Sequence, residues 1–102
     1  MVRRAASVDE NQAEVVAAFR KMGCSVQPLH TVGQGCPDLL IGHLGVNRVV
    51  EVKDGKKPLG KRQLTPDQQT WHNQWRGEVD VAESVDDAVR LVRKWTGWQS
   101  DS

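Results

Sequence analysis

Pro37-Asp38-Leu39-Leu40-Ile41-Gly42 and, after a short turn, Arg48-Val49-Val50-Glu51-Val52-Lys53 decide how this chain folds. Both runs are short and dense in branched apolar residues, the pattern of strands buried on a sheet. Gly45-Val46-Asn47 lies between them and supplies a hairpin turn. Side chains alternate along a strand, so Val50 and Val52 share one face while Glu51 and Lys53 leave the other. Pairing of the two arms predicts the Asp38 carboxylate beside Glu51 at one end of the sheet.

Outward from this hairpin the punctuation is clear. Upstream, Ser7-Val8-Asp9-Glu10 reads as a capping box, with Val15, Val16, Phe19 and Met22 at helical spacing. A helix is expected over about 9–22, closed by Gly23. Residues 25–30 form a short strand whose Pro28 suits a sheet edge or bulge. Gly33 and Gly35 mark a turn before Pro37. Downstream, Thr65-Pro66-Asp67-Gln68 is a second capping box, opening a helix to about Arg76 that stops at Gly77. Val79-Asp80-Val81-Ala82 reads as a strand. Ser84 caps a last helix with Val85, Val89, Val92 and Trp95 on one stripe, ended by Gly97. The order α-β-β-β-α-β-α predicts an α/β domain with a mixed sheet covered by helices. It spans 1–102, with frayed ends at about 1–7 and 98–102.

Length and charge narrow the function classes. With 102 residues there is room for one modest core. No apolar run approaches a membrane span, and acidic Asp9 and Glu10 precede the first apolar segment, so a cytoplasmic location is expected and no membrane partner. A net charge of +1 excludes a globally basic coat but not a local basic strip. Cys24, His30, Cys36 and His43 match no standard zinc spacing, and the two cysteines read as buried thiols.

Asp38, Glu51 and Lys53 carry the chemistry. Two carboxylates and a lysine at a sheet edge make a hard, oxygen-rich site of the kind that magnesium takes, with waters and substrate phosphate completing the shell. The alternative for Glu51 and Lys53 is a strand-surface ion pair, and for Asp38 a turn residue after Pro37. Charge bordering such apolar segments weighs toward the site. Lys56, Lys57, Lys61 and Arg62 crowd the loop after the second strand, where they are placed to contact phosphate rather than merely solvent. Trp71, Trp75 and Trp95 are expected in the core, and His72 on a helix surface.

Gly35-Cys36-Pro37-Asp38-Leu39-Leu40 followed by Val49-Val50-Glu51-Val52-Lys53 resembles the PD-(D/E)XK nuclease superfamily, and within it the VRR-Nuc branch, the virus-type replication-repair nucleases. The core motif covers 35–53, and the order of elements extends the similarity over most of the chain. The resemblance implies a restriction-endonuclease-like core. It makes Asp38 and Glu51 metal ligands, adds the Val52 backbone carbonyl, and makes Lys53 the catalytic lysine. Glu14 matches the helix glutamate that completes the acidic site, usually through water; read from its neighbours alone, it lies beside the Val15 stripe and could face solvent. Gln68 corresponds to a polar site residue on the helix after the Glu-x-Lys strand, but a glutamine there is also what a capping box supplies. The two roles compete for one side chain.

The resemblance further implies an Mg2+- or Mn2+-dependent endonuclease of DNA. Stand-alone phage-type members form homodimers and can cut branched DNA such as four-way junctions, in a bacterial or phage-infected cell. Trp98, past the last cap, is a candidate for the dimer interface. A catalytically silent DNA-binding or assembly module with the same fold is the alternative, and intact Asp38, Glu51 and Lys53 count against it.

Overall fold

The computed structural model describes residues 9–97, so the serine of the first capping box, the ends at 1–7 and 98–102, and Trp98 lie outside the described residues. The elements run α1 (Gln12–Lys21), β1 (Ser25–Pro28), β2 (Leu39–His43), β3 (Val46–Val52), α2 (Pro66–Gln74), β4 (Val79–Ala82) and α3 (Val85–Thr96). A single 3-10 turn, Leu59–Lys61, interrupts the basic loop. The four strands lie in the order β1-β2-β3-β4. The first three pair antiparallel, and β4 joins β3 in parallel. That parallel pairing follows from α2, since a crossover returns the chain to the same end of the sheet. The order and the mixed sheet are those expected from the sequence, and Pro28 falls on an edge strand.

Alternation sorts the two sheet faces. Leu39, Ile41, Val50, Val52 and Ala82 are buried on one, against Val15 and Phe19 of α1 and Ala88, Leu91 and Val92 of α3. The Trp95 ring stacks on Phe19 with centroids 5.9 Å apart, and its indole N–H donates to Asp80 at 3.3 Å. Glu51 points to the opposite face, where α2 lies across one end of the sheet. Among the described residues no helix is long and apolar enough to cross a membrane.

Three local differences have physical reasons. Helix α1 starts at Gln12, after a turn closed by the Gln12 N–H on the Asp9 carbonyl, and the Asn11 side chain, instead of capping it, donates to the carbonyls of Lys53 (3.0 Å) and Glu83 (3.1 Å). The hairpin turns at Leu44-Gly45, not at 45–47: both central residues have positive φ, 51° and 79°, as a tight turn matched to strand twist requires. Trp75 is not core. Helix α2 stops at Gln74, Trp75 adopts extended backbone, and the residue is 48% exposed while its ring stacks on Trp71 at 4.5 Å. In α3 the buried positions are Ala88, Leu91 and Val92, while Val85 and Val89 are half-buried.

Candidate active site

The β2–β3 register places Leu39 opposite Val50, so Asp38, one residue before β2, falls beside Glu51. The Val52 N–H donates to Asp38 Oδ2 at 2.7 Å, fixing that carboxylate at the end of the ladder. Glu51 is 1% exposed. Burial first, then a hydrogen bond and charge repulsion from Asp38, push its carboxyl up to about 9, against the opposing pull of Lys53. Glu51 therefore keeps its proton far above the usual carboxylate range.

Helix α2 closes the site from the other side. Lys53 Nζ donates to Gln68 Oε1 at 2.7 Å, and Gln68 Nε2 donates to Glu51 Oε2 at 3.1 Å. The same Oε1 accepts from the Thr65 N–H at 2.9 Å, while Thr65 Oγ1 accepts from the Gln68 N–H at 3.2 Å. The competition between capping and site roles thus disappears. A carbonyl oxygen has two lone pairs, and Gln68 uses one for the cap and one for Lys53. Gly35 allows this approach: its φ is +82°, and a Cβ there would collide with the Asp67 carbonyl and sit 2.8 Å from the Gln68 nitrogen.

Two side chains that the sequence reading did not assign to the site lie in it. His72, expected on an open helix surface, has its side chain 13% exposed and its Nε2 3.4 Å from Glu51 Oε1. Burial, then the Lys53 charge, lowers its pKa, so the ring is neutral near pH 7. The available signal was its position one turn after Gln68. Asp9 lines the cleft with Cys36, Asp38, Glu51, Lys53 and Gln68, and its charge acts on Glu51. Glu14 does not join them. Because Val15 and Phe19 turn inward, Glu14 is exposed and faces a separate hollow with Asp54, Lys56 and Asp87.

The basic loop is divided. Lys56, Lys57 and Lys61 are exposed. Lys57 also pairs with Asp9 at 3.6 Å. Arg62 is tied inward, donating to the Lys57 carbonyl at 2.7 Å and pairing with Glu83 at 3.3 Å.

The donor set suits a hard divalent ion. Asp38 and Glu51 present oxygen only, and burial with the charges of Glu51 and Asp38 raises the pKa of the nearby Cys36 thiol, which keeps its proton. Among the described residues no three His, Cys, Asp or Glu side chains converge tightly enough to hold an ion alone. Backbone, water or substrate oxygens would complete the shell, as magnesium commonly arranges. A cation there would relieve the repulsion between the paired carboxylates.

No family model matches the chain. No curated protein matches it. A solved structure described as a VRR_NUC domain is similar, with 27% identity and a TM-score of 0.64, over 85% of this chain and 99% of that one. That likeness supports the VRR-Nuc family and places the four-stranded mixed sheet within its restriction-endonuclease-like fold.

Proposed function

We propose that the chain is a divalent-metal-dependent DNA endonuclease, using Mg2+ or Mn2+. The observation that carries this reading is the buried pairing of Glu51 with Asp38, with Lys53 beside it and held by Gln68. Asp38 and Glu51 hold the ion in this reading, and the Val52 carbonyl adds an oxygen. Asp9 lines the same cleft and adds negative charge beside Glu51, a place that Glu14 does not reach. A bound divalent ion supplies an acidified water and neutralises charge on the phosphate oxygens. Lys53 sets a fixed positive charge where negative charge develops, and its bond to Gln68 orients it. Lys56, Lys57 and Lys61 receive the DNA backbone. Arg62 shapes the loop that carries them.

The finer part of the proposal is a homodimer cutting branched DNA, four-way junctions included. Its support is the resemblance carried by the Pro-Asp and Glu-x-Lys motifs, and a two-fold assembly suits a symmetric junction. Four-way-junction and linear duplex DNA incubated with the protein in Mg2+ or Mn2+ test it, beside light scattering for mass. Metal-dependent cutting that favours the junction and is lost in Lys53→Ala is expected. Binding without cutting under every condition would instead establish the silent module.

A further inference from the structure

Glu51 is gripped by both of its oxygens from one helix. Gln68 donates to Oε2 and His72 meets Oε1, and the two residues sit four apart on the same face of α2. The imidazole is largely enclosed, its ring edge-on to Trp71 with centroids 6.0 Å apart. In the tautomer protonated at Nε2, a neutral ring donates to Glu51 Oε1, also once an ion has displaced the Glu51 proton, and leaves Nδ1 as an acceptor. At 3.4 Å the hydrogen bond is long and weak, and it restrains the carboxylate's direction more than it adds binding energy. A carboxylate held at only one oxygen can swing about its terminal torsion, which is broad. Held at both, it presents its remaining lone pairs in one direction.

We propose that His72 is a positioning residue for Glu51, completing with Gln68 a clamp that aims this carboxylate at the divalent ion shared with Asp38. The inference rests on the metal-site reading above. His72 touches neither substrate nor ion in it and acts through Glu51, as partners of ligating carboxylates do.

Titrating Mn2+ alone into the full chain, by calorimetry, tests it. His72→Phe keeps the bulk and removes the donor, whereas His72→Gln returns an N–H close to the position of Nε2. We expect His72→Phe to weaken Mn2+ binding by about tenfold or more and His72→Gln to recover most of that loss. Thermal melting of each variant reports folding, and His72→Ala serves should phenylalanine disturb Trp71. Wild-type Mn2+ affinity in His72→Phe, or equal weakening in His72→Phe and His72→Gln, overturns the clamp while leaving the nuclease reading intact. A wild type that neither binds Mn2+ nor cuts DNA overturns both.

Discussion

At the scale of single residues, Gln68 shows how one side chain serves fold and site together. Thr65→Ala removes half of the cap and leaves in place the bond that Gln68 accepts from Lys53 and the one it donates to Glu51. Gln68→Ala removes the other half of the cap together with the bonds to Lys53 and Glu51. Each is expected to cost about 1 kcal/mol, or about 4–8 °C in melting temperature. DNA cleavage should fall at least about tenfold only in Gln68→Ala. Melting curves beside cleavage rates separate the two effects, and equal rates in both variants would contradict the dual role. Glu51 makes a second prediction, about pH. Its folded value of about 9 lies above the unfolded value of about 4.3. A raised pKa gives stability that is complete below the unfolded value and lost as pH rises through the folded one. In chelator, stability should therefore fall from about pH 5 to about pH 9, by up to about 1.4 kcal/mol per unit for one proton. Denaturant melts across this range measure it, and Glu51→Gln should flatten the slope. Mn2+ affinity should rise over the same window, because the ion displaces the proton.

At the scale of elements, the docking of α2 depends on Gly35. Gly35→Ala meets the Asp67 carbonyl and also strains a backbone at φ +82°, so a loss of at least about 1–2 kcal/mol is expected, together with weaker cleavage. A Gly35→Ala protein with unchanged melting and activity would show that α2 does not need this approach. The strand pair and its carboxylates were legible because a period of two and a short turn leave few registers for Asp38 and Glu51. The caps of α2 and α3 were legible because Thr65 and Ser84 act locally. Asn11, Asp9 and His72 were not. Asn11 spends its amide on carbonyls 42 and 72 residues away. His72 acquires its partner only once α2 lies across the sheet. Glu14 was displaced for a similar reason: the inward turn of Val15 and Phe19 rotates it away from the cleft, a matter of helix phase that a motif does not contain.

At the scale of the whole molecule, a nearly neutral chain must concentrate its positive charge to hold a polyanion. Lys56, Lys57 and Lys61 are exposed on the loop that leaves the site, while Arg62 is tied to Glu83. Replacing the three lysines with glutamine should reduce the dependence of log K on log salt, by up to about 0.9 for each phosphate no longer neutralised. Arg62→Gln should lower the melting temperature and leave that slope nearly unchanged. A filter-binding salt series distinguishes them, and a larger drop in slope for Arg62→Gln than for the triple variant would reverse the assignment. In the proposed function, Asp38 and Glu51 make this fold a metal-dependent cutter of DNA. Its most direct test is the nicking rate of supercoiled plasmid in Mn2+, for wild type and for Asp38→Asn. Nicking should stop with chelator and fall by about a hundredfold or more in Asp38→Asn. Nicking by Asp38→Asn at the wild-type rate, or by wild type in excess chelator, would contradict it.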